Sequence, residues 1–309
     1  MTDNADPQWR PAVAEPLEAD SFRPLSASVA LEIGAASMCG AQRAHNTDHY
    51  LVLRVGRMQE TLATSLAAAD LPPPFEEYAY ALLVADGMGK QGAGTRASRV
   101  ALSALAHVAI RFGKWNVRVG PESAGDITAQ ADFFYRRMND ALLRARWGEF
   151  HLTDMATSLT ALYIAETDLF FAHVGHSRAF LFRRGLLTQL TTDHTLQQQR
   201  QGAVGPSALE GASSDLGHVV TETIGGRATG PNVSIEHIKL SSGDRLLLCT
   251  NGLTDVVSDD QIADTLALQR RPRDDCQRLL DLARAAGSPD DVTALVADYR
   301  LRAEPRRAA

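Results

Sequence analysis

The sequence predicts an α+β domain, on three observations. Short apolar runs of strand length recur through the chain, helix-period segments come in two pairs, and the two kinds of segment fall in blocks. Such blocks indicate layered antiparallel strands and helices, whereas a βαβ repeat would alternate them singly.

Composition sets the bounds. The chain has 309 residues, of which 45% are hydrophobic and 22% charged, an ordinary globular balance. That length allows one large domain or two small ones, and no linker-like stretch interrupts 26–300, which favours one. A net charge of −6 argues against a nucleic-acid partner. Cys39, Cys249 and Cys276 are odd in number, lack CxxC spacing and read as reduced thiols. The start is polar and acidic, unlike a signal peptide, and no apolar run reaches the ~20 residues of a membrane span. A cytoplasmic location is expected. Residues 1–25, with four prolines and five acids, read as a disordered leader, 26–302 as the domain and 303–309 as a tail.

Taken in order, alternation predicts a strand over Ser26–Ile33 and another over Tyr50–Val55. Residues 56–76 are either a short helix with a loop or an insertion between paired strands. Ala81–Ala85 is a buried strand. Gly94–Phe112 carries Ala97, Ala101, Ala104, Leu105 and Val108 at helical spacing. A polar linker, Lys114–Gly125, precedes a second helix that Asp126 could cap, with Phe133, Phe134, Met138, Ala141 and Leu142 inward.

Strands follow at Thr157–Ile164, Leu169–Val174, Ala179–Arg183 and Leu186–Leu190, the last two joined at Arg184-Gly185 as a hairpin. Residues 193–217 are polar and read as a mobile excursion. Strands resume at Val233–Leu240 and Arg245–Cys249, helices at Asp259–Gln269 and Asp274–Ala286, and Val292–Tyr299 closes the domain.

The most informative stretch is Ala81–Lys90, ALLVADGMGK. Its strand delivers Asp86 into a turn of Gly87, Met88 and Gly89. A carboxylate at the mouth of a buried strand requires a cation or several donors beside it. The glycines allow close backbone approach and expose carbonyls that could serve as oxygen ligands. From these residues alone, an Asp that caps the following helix is an equal alternative.

Eight segments in order then resemble one family. They are Arg43-Ala-His-Asn46-Thr47-Asp48, Asp86-Gly-Met-Gly89, Asp154-Met-Ala-Thr-Ser158, Val174-Gly-His176-Ser-Arg178, Leu190-Thr-Thr-Asp193-His194, Gly243-Asp-Arg245, Asn251-Gly-Leu-Thr-Asp255 and Gly287-Ser-Pro-Asp290-Asp291-Val-Thr293. Together they resemble the PPM, or PP2C-type, metal-dependent protein phosphatases over residues 30–300. The resemblance implies a central antiparallel β-sandwich with antiparallel helix pairs outside, in α-β-β-α layers.

It also implies hydrolysis of phosphoserine and phosphothreonine by water activated between two Mn²⁺ or Mg²⁺ ions, with a third, looser ion. Asp86 would bridge the central pair, the Gly87 carbonyl and Asp290 would add ligands, and Asp154 would hold the third ion. Asn251 falls on a further ligand position. Arg43 would grip the phosphate, which suits its planar fork of donors, and Asp48 would stand beside the metal waters. A phosphorylated protein would be the substrate, and a serine/threonine kinase or its targets the partners.

Departures from the pattern matter. Asn251 stands where the family carries Asp, and Thr47 where an acid is common. His176 replaces the acid of a VGDSR motif at a structural position, and Lys90 replaces a glycine. Asn251 and Thr47 favour a second function class, a pseudophosphatase that binds phosphoproteins. The retained Arg43, Asp48, Asp86, Asp154 and Asp290 favour an enzyme.

Overall fold

The structure, a computed structural model, describes residues 29–67, 71, 74–112, 121–204 and 219–301. The leader, the tail and most of the 193–217 excursion lie outside the described residues, as does much of the 114–125 linker.

Three long strands open the chain: β1 Val29–Met38, β2 Asp48–Gln59 and β3 Phe75–Met88. Helices α1 Ala93–Phe112 and α2 Pro121–Ala145 follow, then a short 3-10 turn at Phe150–Leu152. Next come β4 Ala156–Thr157, β5 Leu159–Ala165, β6 Asp168–Val174, β7 Arg178–Arg183 and β8 Leu186–Gln189. Helix α3 Leu196–Val204 precedes β9 Ser234–Lys239 and β10 Arg245–Cys249. Helices α4 Asn251–Thr254, α5 Asp259–Ala267 and α6 Pro272–Ala285 lead to β11 Val292–Leu301.

Two antiparallel sheets result, ordered β1-β11-β10-β7-β8 and β2-β3-β5-β6-β9, with β4 paired to the end of β3. The two-residue period of a strand explains the layering. On β3, Leu82 and Val84 join the core between the sheets, while Leu83 and Ala85 join the cluster under α1 and α2. On β11, Leu295, Ala297 and Tyr299 face the other sheet, while Val292, Ala294 and Val296 pack with Ile262, Leu279 and Cys276 of α5 and α6. Both sheets are thus covered on both faces, in the α-β-β-α order expected. Ala93, Ala97 and Ala101 are fully buried along α1, so small side chains bring that helix close to its sheet.

Several expectations change. The 56–76 segment is the paired-strand alternative, since β2 and β3 pair without a break from Asp48↔Asp86 to Gln59↔Phe75. The second helix starts at Pro121, so Asp126 lies inside it and does not cap it. Proline suits a first helical position, because its missing N–H would have no intrahelical partner there. Residues 196–204, read as part of an excursion, are helical, and the run LQQQRQGAV has no apolar face to signal it. The short α4 was missed because four residues carry no period. Arg184 and Gly185 do form the β7–β8 turn, both with positive φ (53° and 84°), as a type I′ turn requires.

Candidate functional site

The pairing register gathers distant segments at one end of both sheets. Asp48, which opens β2, lies opposite Asp86 near the end of β3. Met38 at the end of β1 pairs with Val292 at the start of β11. Cys249 at the end of β10 pairs with both Ala294 and Arg178. The loops that carry Arg43, Asp290, Asn251 and His176 leave the sheets at that end.

Asp86 and Asp48 are 5% and 4% exposed. Burial holds the carboxyl pKa of Asp86 above its usual range, against the pull of His176, with Asp290 pushing the same way as burial. Burial, then the neighbouring Asp86, lifts Asp48 well above that range, against a hydrogen bond from Thr250. Thr250 Oγ1 donates to Asp48 Oδ2 at 2.7 Å, while Asp48 Oδ1 is buried with no hydrogen-bond partner. Two buried carboxyls side by side, one with an orphaned oxygen, form an arrangement that a cation would satisfy.

The sign of the pH effect follows. A carboxyl whose folded pKa is raised adds stability that is fully present below its unfolded value, about 4, and is lost as pH rises through the raised folded value. In chelator at pH 7, Asp48→Asn is therefore expected to stabilise the chain by about 1–3 kcal/mol, because an amide can donate toward Asp86 where a carboxylate repels it. Urea unfolding checks this, and a destabilised variant would count against the strained pair.

Asp290 completes a third corner. Its Oδ1 accepts from Arg43 Nε and from the Asp291 amide, at 2.7 and 2.8 Å, and Arg43 Nη2 lies 2.7 Å from the same oxygen. The Arg43 side chain is 43% exposed, so the guanidinium stands at the surface of the cleft while anchored to it. Gly87 packs against Gly94 at the start of α1, where a Cβ on Gly87 would fall 2.0 Å from the Gly94 carbonyl oxygen. Only glycine permits that approach, and it ties the turn after Asp86 to the helix.

Two predicted residues stand on the flanks. Asp154 is exposed, and its Oδ2 accepts the Lys90 backbone N–H at 2.9 Å. Asn251 is buried at the first position of α4, and its Nδ2 donates to Asp255 Oδ2 at 2.9 Å. The backbone beside it abuts the Asp290–Asp291 turn, since a Cβ on Gly252 would lie 2.1 Å from the Asp291 carbonyl oxygen.

Other site residues emerge only in three dimensions. Asp291 holds the β1–β2 loop, accepting the Gly40 N–H at 2.9 Å, the Thr47 N–H at 2.7 Å and the Thr47 hydroxyl at 2.9 Å. The Thr47 hydroxyl, standing where an acid is common, is thus committed to Asp291. His176, read as standing at a structural position, has an unsatisfied ring. Its Nδ1 is buried without a partner and its Nε2 lies 3.6 Å from Asp86 Oδ2. A histidine alone in a loop gives no periodic signal, and its contact with Asp86 arises from the packing of one sheet end. His173 is scaffolding. Its Nδ1 meets Thr160 Oγ1, its Nε2 the Gly175 carbonyl, and burial pushes its pKa down to about 3.

Among the described residues, no three His, Cys, Asp or Glu side chains are drawn together as a closed metal cage. Mg²⁺ keeps several waters and is held by one or two carboxylates, so an open set of hard oxygens suits it, and Mn²⁺ has similar preferences. Asp86 and Asp290 are such a set, with the orphaned Asp48 oxygen beside them to accept from the ion's waters, and this donor chemistry fits the ion.

Comparison with known proteins identifies the family. The sequence pattern described as protein phosphatase 2C matches residues 75–285, more than half of the chain. The serine/threonine protein phosphatase PstP of Mycobacterium tuberculosis is 35% identical over 219 residues, covering 70% of this chain but 40% of that relative's length. The serine/threonine phosphatase stp of Listeria welshimeri is 27% identical, covering 74% of this chain and 88% of that protein.

Among solved structures, the catalytic domain of PstP in complex with two manganese ions aligns with a TM-score of 0.65 and 30% identity. That alignment covers 88% of this chain and 99% of that one. The S. agalactiae serine/threonine phosphatase shares the fold, at 24% identity and a TM-score of 0.69. From its sequence pattern and its layered sheets with acids meeting at one end, this chain belongs to the protein phosphatase 2C family.

Proposed function

We propose that this chain is a metal-dependent protein serine/threonine phosphatase, with residues 26–302 as its catalytic domain. The observation that carries the proposal is the buried Asp48–Asp86 pair, with raised pKa values and an orphaned oxygen, beside the Arg43–Asp290 pair. Asp86, the Gly87 carbonyl and Asp290 would hold Mn²⁺ or Mg²⁺, with Asp154 and Asn251 nearest a third, looser ion. Such ions neutralise phosphoryl oxygens and make a water more acidic when bound.

The chain's own residues do the rest. Arg43, exposed and anchored through Nε and Nη2 to Asp290, presents the remainder of its fork to an incoming phosphate dianion. Asp48, oriented by Thr250, turns its free oxygen toward the site, where it can take a proton from water. Asp291 fixes the loop that carries both. A phosphoprotein substrate and a kinase signalling partner in the cytoplasm fit this role. No helix among the described residues is long and apolar enough to cross a membrane.

A second reading, a phosphoprotein-binding pseudophosphatase, draws on Asn251, which lacks the charge of a carboxylate and is tied to Asp255. Hydrolysis of a phosphothreonine peptide under titration with Mn²⁺ and Mg²⁺ tests both. Turnover by the native chain is expected, and Asn251→Asp should lower the Mn²⁺ needed for half-maximal rate about 10-fold or more. Turnover only in Asn251→Asp would favour the binding module. No turnover in either would sink the catalytic proposal.

A further inference from the structure

We propose that His176 is a nitrogen ligand to the divalent ion held at Asp86, a donor outside the oxygen set described above. This rests on the proposed role of Asp86 as a metal ligand. Three observations carry it.

First, the His176 side chain is 11% exposed, yet neither ring nitrogen has a protein hydrogen bond: Nδ1 is buried and unpartnered, and Nε2 stands 3.6 Å from Asp86 Oδ2. A buried polar group without a partner loses about 1–3 kcal/mol, and a bound ion is one physical explanation for such a group. Second, the 3.6 Å gap is longer than a hydrogen bond, and a single water bridging it would have to sit well off the line between the two atoms. It is a separation over which two donors can share one divalent ion, whose bonds to imidazole nitrogen and carboxylate oxygen are each about 2.1 Å.

Third, the buried side-chain atoms left unpartnered among the described residues are His176 Nδ1 and Asp48 Oδ1, and both residues adjoin Asp86. Two orphans beside one buried carboxylate point to a single missing occupant, the ion with its waters. A plain imidazolium–carboxylate pair accounts for this less well. It would bury a charged Nδ1–H with no acceptor, while Nε2 would make no hydrogen bond to the carboxylate it faces.

The backbone supports the placement. His176 sits between Gly175, whose φ is 110°, and Ser177, which is fully buried and hydrogen-bonded to Ser158 at 2.8 Å. The Gly175 carbonyl accepts from His194 N and faces His173 Nε2, so the loop is pinned on both sides of the imidazole. An imidazole donor would bias the site toward Mn²⁺, and further toward Co²⁺ and Ni²⁺, at the expense of Mg²⁺.

The test uses the full chain loaded with Mn²⁺. Electron spin-echo envelope modulation reads ¹⁴N bound to the ion, and calorimetry reads Mn²⁺ and Mg²⁺ affinities. We expect nitrogen modulation in the native protein and its loss in His176→Asp, a variant that keeps a ligand-competent side chain. The ratio of Mn²⁺ to Mg²⁺ affinity should fall about 10-fold or more in that variant.

Mn²⁺ binding that Asp86→Asn removes, but without nitrogen modulation in the native chain, overturns the His176 proposal and leaves the metal site standing. Modulation that persists in His176→Asp overturns it as well. Mn²⁺ binding that is absent, or indifferent to Asp86→Asn, removes the metal reading and the His176 proposal together.

Discussion

Asp86→Asn is expected to reduce turnover of a phosphothreonine peptide by more than about 100-fold, beyond the upper end of what outer-shell partners of a metal usually cost. The amide has the same shape, so the change isolates charge. Asp86 is buried, faces Asp48 across the β2–β3 register and lies within 3.6 Å of His176. Its backbone is independently secured, since its carbonyl accepts from the Ser158 N–H at 3.0 Å and from Thr157 Oγ1 at 2.8 Å. Loss of the carboxylate should therefore leave the fold intact. In chelator the variant should unfold at the same or higher urea concentration, because a buried like-charge contact has gone. A loss of activity smaller than about 10-fold would remove Asp86 from the proposed ligand set.

The largest expected stability effect lies far from that cleft. Arg245 is 2% exposed and all three of its guanidinium nitrogens are engaged. Nη1 donates to Asp275 Oδ2 and to the Leu266 carbonyl, both at 2.7 Å, and Nη2 to the Arg270 carbonyl at 2.9 Å. Nε pairs with Asp298 on the adjoining strand. One side chain thus joins β10, β11, α6 and the end of α5. Arg245→Met keeps the length and removes the charge, leaving Asp275 with the partly exposed Arg270 and Asp298 facing Arg300 at 3.8 Å.

Removing one partner from a buried ion pair costs about 3–5 kcal/mol, because the other charge stays buried. Urea unfolding should show that loss, and it should be smaller when Asp275→Asn and Asp298→Asn are added. A cost below about 1 kcal/mol in Arg245→Met would mean that water reaches the carboxylates.

Part of the candidate site was legible in the sequence, because its motifs are local. A strand followed at once by an acid and two glycines, as at Asp86–Gly89, places a carboxylate at a sheet end whatever the rest of the chain does. Asp48 and Asp290 were expected only from the resemblance of their motifs to the family, and each lies beside a strand terminus. The strand and helix periods likewise determined the α+β class and the inward face of α1. Period is a property of neighbouring residues, and neighbours are what a sequence displays.

Contacts between distant residues were a different matter. Arg43 meets Asp290 across 247 positions, and that meeting depends on the register of β1 against β11. Asp48 opposes Asp86 through a register of β2 on β3 that survives a long intervening segment. The Thr47 hydroxyl went to Asp291, Asn251 to Asp255, and His176 came to lie beside Asp86 with its ring unsatisfied. None of these partners is encoded within one motif. Each follows from two sheets packing into a shared core and carrying their loop ends to one edge, so only the tertiary structure could decide which charge is answered and which is left free.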